Sequence, residues 1–547
     1  MITAPADWYY FSEGGKHVIF TCRHLALRVE KASLARAAAA FARYKHSDSQ
    51  QNDDRYELLE TTDTSSPHSM FSRFIVEPNL GKCYIDAPKN LLLPEEFCSC
   101  LHYQAMSCGK IPTSRVTSWQ VDTQSNKTEL LESTTYVRAT LLRNCAQLKT
   151  QQKSMQYYSE NPITISVEIK PKAGYLSSSP LVLPAHRCKY YRSRYNLQQE
   201  LMEKNVVEKG WCRDQLQFVD DSTTNNQSGF KRSSYSPLDL FSRDHARIRS
   251  AVMELSKNMQ NNFRVWCNGE KVFGEYDRLS PVEYYGLLSR MIGTKHCNVD
   301  VTDSGSILLH LVANVVSDIL YREKLLDELL ELQLLDVIDS DGAVLVYDRL
   351  VYLVNGSQSE AELALEQHFT ASDEAPVYNK SSNSSRQEIS LLSSPYPMPH
   401  CRHLHELLND IRQFQSELQN QRASGQSIDE SIANKYHSDC LHHVSQLSKE
   451  SCIFLLSNWL LSLTMCDVSL FVTFELILSC DTDVRTEYNQ SVDSGGLYAF
   501  ALDTIPSLPK AIVHYEINVI DYDPKPAKKL RNRHGVERLF QFCESKR

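Results

Sequence analysis

The sequence has no excess of positive charge. Its 547 residues hold 58 Lys and Arg against 67 Asp and Glu, a formal net charge of −9. That excludes the overall basic character of a general nucleic-acid binder, but it leaves room for local basic pockets. A dense cysteine framework is also missing: the 16 cysteines are spread along the whole chain, whereas a small secreted disulfide scaffold is short and cysteine-rich. The opening MITAPADWYYFSEGGK lacks the basic and then apolar pattern of a secretory signal. The expectation is an intracellular protein, cytoplasmic or nuclear, with reduced thiols. No internal repeat is visible. Nor is there a clean membrane span: residues 452–478 are long enough to cross a bilayer, but Asn458, Ser462, Asp467 and Glu475 interrupt them. From Val468 the apolar residues alternate through Leu470, Val472, Phe474, Leu476 and Leu478, which is the period of a strand. A buried helix followed by a buried strand is expected there, and no membrane partner.

What the chain does contain is enough apolar residue, 42%, for large cores. Its length suits two to four domain-sized units or one large two-lobed enzyme. Three stretches have linker composition: 46–68, 220–234 and 356–399. They are rich in Ser, Asn and Asp and weakly periodic, and are expected as loops or disordered inserts. The opening reads as strand, glycine turn, strand, strand, and 163–170 as another strand. Residues 306–337 are apolar at helical spacing, 403–421 and 428–448 look helical, and 511–523 alternates again. This last strand is expected to pair with 468–478. The class is therefore α+β, with a smaller β-rich part (1–175) followed by a larger, mainly helical part (176–547) that contains late strands.

Four places carry candidate chemistry. In ITISVEIKPKAGY (163–175) the apolar Ile163, Ile165, Val167 and Ile169 share one face, and Glu168, Lys170 and Lys172 the other. Pro171 cannot donate to a ladder, so the strand should end there and present two lysines suited to phosphate oxygens. A solvated polar edge is the plain alternative. In HRCKYYRSRY (186–195) Arg187, Lys189, Arg192 and Arg194 interleave with tyrosines, a pattern that fits phosphate, single-stranded nucleic acid or an ordinary basic helix. In MQNNFRVWCNG (259–269) Asn261 and Asn262 precede Arg264 at a strand entrance. Asp467 stands before one predicted strand and Asp521 at the end of another, with Lys525, Lys528, Lys529, Arg531, Arg533 and Arg538 beyond it. Acids at strand ends beside bases suit metal-assisted phosphoryl transfer, one orienting a hydroxyl and one holding magnesium.

The blocks VEIKPKAGYL (167–176), SRYNLQQ (193–199), SPLDLFS (236–242), QNNFRVWCNG (260–269), CDVSLFVTF (466–474) and IDYDPKP (520–526) resemble, in order, those of the inositol-pentakisphosphate 2-kinases. WYYFSEGG resembles that family's glycine loop more weakly. The resemblance implies a distorted protein-kinase-like fold of two lobes. It also implies ATP and Mg2+ as cofactors, inositol pentakisphosphate as substrate, and a monomer. By the same resemblance Glu13, Gly14 and Gly15 lie over the nucleotide phosphates and Arg28 contacts the nucleotide. Lys170 and Lys172 face the phosphates where nucleotide and substrate meet, and Arg264 lies near the transferring group. Arg194, Asn261, Lys525 and Lys529 grip the inositol phosphates, Asp467 orients or deprotonates the 2-hydroxyl, and Asp521 binds magnesium. An inactive or weakly active inositol-phosphate-binding scaffold is the alternative. It is motivated by departures from the family pattern: Phe11-Ser12 precede Glu13 where Arg-Gly is usual, and Gln198 and Met202 stand where His and Lys are usual. The zinc-binding Cys-x-x-Cys of some plant members has no counterpart after Asp341–Leu345. Cys401, His403, His405, His437, Cys440, His442 and His443 have spacing that permits a metal, but on polar helices such histidines are expected as plain surface residues, without zinc.

Overall fold

A computed structural model describes residues 2–5, 8–13, 17–22, 25–44, 56–60, 71–80, 84–85, 89–107, 136–146, 148, 163–175, 179–182, 216–217, 231–232, 235–257, 262–274, 279–292, 300–370, 394–423, 430–478, 491–492, 495–500, 511–527 and 530. The architecture is α+β, with helix in the majority and two multi-stranded antiparallel sheets.

The first sheet is built from the N-terminal residues. Its strand order is Tyr9–Glu13, His17–Cys22, Leu25–Glu30, Tyr136–Arg143, Lys89–Pro94 and Leu59–Glu60. The first three strands form the predicted meander, with a register shift between Tyr10 and Ser12. Helices Lys31–Tyr44 and Glu95–Ser107 pack against each other. Trp8, Phe20, Leu27, Val29, Leu34, Leu91, Leu93, Phe97 and Leu101 fill this core.

The second sheet runs Glu270–Phe273, Phe263–Cys267, Thr164–Ile169, Ser469–Leu478, Ala511–Ile520, Gly495–Phe500 and Ser491–Val492. The expected pairing of the two late strands is present over ten residue pairs, with Val472 opposite Ile517. Alternation decides the faces. Ile165, Val167, Ile169, Leu470, Val472, Phe474, Val513, Tyr515, Ile517 and Val519 enter the main core, while Phe471 and Trp266 stack on the opposite face, 5.1 Å between ring centres. Apolar residues at period two on a sheet that is covered on both sides produce this division.

Its place in the chain groups Thr164–Ile169 with the β-rich N-terminal part. Its ladder partners are instead strands Phe263–Cys267 and Ser469–Leu478, so it belongs to the second sheet. The main core is otherwise helical. Ser304–Arg322 and Leu325–Gln333 form the expected helix pair, and Lys449–Met465 is buried almost all round. Ser304–Arg322 is long and apolar enough to cross a membrane by length and composition, yet most of it is inside the protein.

The predicted linkers are corrected in part. Within 356–399, Gln358–Thr370 is a helix anchored by buried Ala361 and Leu365. Within 46–68, Tyr56–Glu57 pairs with Ile2–Thr3, and Leu59–Glu60 edges the first sheet. Within 220–234, Lys231–Arg232 pairs with Leu216–Gln217.

Candidate active site

Antiparallel pairing places the end of one strand beside the start of its neighbour. Thr164–Ile169 therefore delivers Lys170 and Lys172 to the same edge of the sheet where Ser469–Leu478 begins, Ala511–Ile520 ends and Phe263–Cys267 begins. That edge gathers Lys170, Lys172, Arg264, Asp467, Ser469 and Asp521. The buried helix Lys449–Met465 supplies Asp467. It is capped at its start by the Ser448 side chain, which accepts from the Ser451 N–H, and it closes with a turn in which the Asp467 N–H donates to the Thr464 carbonyl at 3.0 Å.

The charges interlock. Lys172 Nζ lies 3.4 Å from Asp467 Oδ1, and Lys525 Nζ donates to the other oxygen of the same carboxylate. Lys170 Nζ lies 3.4 Å from Asp521 Oδ2. The Ser469 hydroxyl bridges Asp521 Oδ2 at 3.2 Å and Glu168 Oε1 at 2.9 Å. Arg264 donates to Glu168 Oε2 at 2.8 Å, so Glu168, only 4% exposed, is a buried acid with both oxygens engaged. Burial pushes the Asp467 carboxyl up. The Lys525 hydrogen bond and the charges of Lys172, Lys525 and Lys170 outweigh burial and leave it below the usual aspartate range. Asp467 is therefore a carboxylate at neutral pH. Lys172 and Asp521 both sit at positive φ, 60° and 61°. For a lysine this is an uncommon conformation that costs of order 1–3 kcal/mol and persists only where the surroundings impose it.

The surroundings are visible. Gln333, fully buried, donates through Nε2 to the carbonyls of Lys172 (2.9 Å) and Met465 (3.1 Å), and its Oε1 accepts from the Gly174 N–H at 2.8 Å. One side chain thus ties the lysine loop to the end of the helix that presents Asp467. Tyr235 donates to the Pro171 carbonyl at 2.7 Å, and the Lys525 N–H donates to Thr464 Oγ1 at 3.1 Å. Gly174 is required by close approach: a Cβ there would meet the Phe241 Cβ at 2.9 Å and overlap its ring. The KAG turn and the PLDLF segment are thereby packed directly against each other.

Arg28, on strand Leu25–Glu30 of the first sheet, grips Asp523 with both terminal nitrogens, the NH1 contact being 2.9 Å. Burial alone would lower the arginine's pKa. The hydrogen bond and charge of Asp523, with a contribution from Asp521, raise it instead. Arg28 is thereby fastened two residues beyond Asp521. Asp523 and Gln333 were not singled out in the sequence. Gln333 had a readable signal, since it occupies the buried-face position that follows Leu326 and Leu329 at helical spacing; Asp523 had none beyond its motif.

Of the other expected site residues, Glu13 is described only as the end of its strand. Gly14, Gly15, Arg194, Asn261 and Lys529, with the basic cluster 186–195, lie outside the described residues. Asn262, next to Asn261, accepts the Lys170 N–H through its carbonyl at 3.0 Å. Asp521 uses only Oδ2 in these contacts and remains 42% exposed, so its second oxygen is open to a hard cation of the magnesium kind.

The second cluster, 401–443, is split by the fold. His437 Nδ1 lies 2.8 Å from the Pro180 carbonyl. Cys440 is fully buried, and its thiol is pushed far up by that burial and then by Asp410 and Asp439. His405 is exposed, while His403 and His443 come together with Glu406.

The profile of a protein family described as inositol-pentakisphosphate 2-kinase matches residues 10–538. A 382-residue stretch is 26% identical to the inositol-pentakisphosphate 2-kinase of Arabidopsis thaliana, covering 66% of this chain and 74% of that protein. The enzyme of the same name from Oryza sativa subsp. indica is 29% identical over 201 residues, 36% of this chain and 38% of the rice protein. That of Danio rerio is 23% identical over 279 residues, 49% of this chain and 44% of the fish protein. The matches thus span about three quarters of the Arabidopsis protein and less than half of the rice and fish proteins.

Proposed function

Because the chain belongs to the inositol-pentakisphosphate 2-kinase family, a family of phosphotransferases, we propose that it transfers the γ-phosphate of ATP to the 2-hydroxyl of inositol 1,3,4,5,6-pentakisphosphate, giving the hexakisphosphate. The observation that carries this reading is Asp467 held between Lys172 and Lys525, beside the Lys170–Asp521 pair, on one edge of the sheet. A hydroxyl acceptor flanked by cations is what a polyphosphorylated alcohol needs. Its phosphates take over the lysines, and its free hydroxyl is left against the carboxylate.

Phosphoryl transfer passes through a loose transition state with charge spread over the transferring oxygens, so catalysis is mostly positioning and charge neutralisation. In this reading Lys170 and Arg264 face the transferring phosphoryl group. Lys172 and Lys525, with Arg194, Asn261 and Lys529, hold substrate phosphates. Asp467, ionised by its lysines, accepts the hydroxyl hydrogen and orients the attacking oxygen. Its lowered pKa suits an orienting acceptor better than a strong base. Asp521 would hold Mg2+ through its open oxygen, and that ion supplies further neutralisation of the phosphate charge. Arg28, Glu13, Gly14 and Gly15 form the nucleotide side. The two sheets with separate cores support a two-lobed, kinase-like arrangement, with the Arg28–Asp523 clamp at the junction.

The test is incubation of the protein with Mg2+, ATP and the pentakisphosphate, with products resolved by anion-exchange chromatography. A hexakisphosphate product that requires ATP is expected. Folded protein that binds ATP and the pentakisphosphate yet forms no product would favour the non-catalytic scaffold suggested by Phe11-Ser12, Gln198 and Met202.

A further inference from the structure

Helices Arg402–Ala423 and Glu430–Ser445 pack side by side, and their seam carries a cluster that the proposed reaction does not use. His403 and Glu406 lie one turn apart on the first helix, and His443 reaches them from the second. Nδ1 of His403 is 3.3 Å, and Nδ1 of His443 3.5 Å, from the same oxygen, Glu406 Oε2. The three atoms all lie within 4.8 Å of one another. Both Nδ1 atoms are shielded from solvent and neither makes a hydrogen bond. Polar atoms buried without partners are costly, and a cation seated among these three would satisfy all of them. The two histidine–carboxylate spacings fit as well. Ligands bonded to tetrahedral zinc at 2.0–2.2 Å stand about 3.3–3.5 Å apart.

The outer contacts point the same way. Arg402 Nε donates at 2.7 Å to Glu406 Oε1, which leaves Oε2 turned to the histidines. Asp410 Oδ2 lies 3.3 Å from His443 Nε2. A carboxylate at Nε2 fixes the proton there and leaves Nδ1 as a lone-pair donor, the usual support of a metal-bound histidine. Helix pairs build metal sites from facing side chains of this kind, a carboxylate and a histidine three residues apart on one helix completed from another.

We propose that His403, Glu406 and His443 bind one divalent ion of the zinc type that pins these two helices together, with Asp410 and Arg402 as outer partners. Water fills the fourth position, or His442 does, whose ring centre is 6.4 Å from that of His403. The site differs from the cysteine-containing cluster considered from spacing, because Cys440 is buried in the main core.

The experiment uses the full chain, freed of metal with a chelator and titrated with Zn2+ against a chromogenic competitor. Co2+ serves in parallel as a spectroscopic probe. Expected are one tight equivalent, tetrahedral cobalt bands and a rise in Tm with Zn2+, since a ligand bound only by the native state stabilises it. His403→Ala and His443→Ala should lose all three. His405→Ala, an exposed neighbour on the same helix, should keep them. Asp410→Asn, which retains every ligand, should weaken binding about 10–100-fold, and it keeps the test open if the ligand variants do not fold. Absence of a tight equivalent in the wild type would overturn the proposal. So would zinc affinity unchanged in His403→Ala and His443→Ala, or, where those do not fold, unchanged in Asp410→Asn.

Discussion

Asp467 is pulled in two directions, by burial toward the neutral acid and by three lysines toward the carboxylate, and the lysines prevail. A carboxylate with a depressed folded pKa contributes stability that is fully present above its unfolded value, about 3.9, and is lost as pH falls through the folded value. The difference in unfolding free energy between wild type and Asp467→Asn should therefore be constant near neutrality and shrink in acid below about pH 4. Urea unfolding across that range measures it, and a difference that grows in acid would refute the assignment. Gly174 offers a second single-residue test. Gly174→Ala must push Phe241 aside, and overpacking of this kind costs about 1–3 kcal/mol, readable as a fall in the denaturation midpoint. An unchanged midpoint would mean that the loop moves freely.

At the scale of elements, the active edge depends on where strands and helices end. Gln333 joins three of these ends through backbone groups of Lys172, Gly174 and Met465. Gln333→Leu keeps the volume but leaves those groups without their partner. A loss of about 1–3 kcal/mol should come with a raised KM for the inositol phosphate, because Lys172 is no longer held at positive φ. A stability loss with KM unchanged would show that Gln333 only supports the core. Much of this layer was legible in the sequence. Period-two runs located strands Thr164–Ile169, Ser469–Leu478 and Ala511–Ile520, and Pro171 marked where the lysine strand stops. What escaped had physical causes. Among its described side chains Gln358–Thr370 buries fully only Ala361 and Leu365, so its polar composition read as linker. The sheet membership of Thr164–Ile169 depends on partners about 100 and about 300 residues away along the chain, which local pattern does not encode. The spacing of the 401–443 histidines could not show which helix faces meet, so the approach of His403 and His443 to Glu406 was not legible.

At the scale of the molecule, the two sheets have separate cores, and Arg28 with Asp523 is a bidentate link between the first sheet and the end of the second. Arg28→Ala and Asp523→Ala should be non-additive in stability, with a coupling of about 1 kcal/mol for a partly exposed pair. Both should raise the KM for ATP. Full additivity would mean the clamp carries no energy.

Central to the proposed reaction is Asp467, which, set between its lysines, would orient the hydroxyl that receives the phosphate. The most direct measurement is the single-turnover rate of phosphate transfer from ATP to inositol 1,3,4,5,6-pentakisphosphate at saturating substrate and Mg2+, for wild type and for Asp467→Asn verified to be folded and to bind ATP. Saturation removes binding effects, so the ratio reports the chemical step. Measurable transfer is expected in the wild type, with a loss of about 10²–10⁴-fold in the variant. Equal rates in the two proteins would contradict that role.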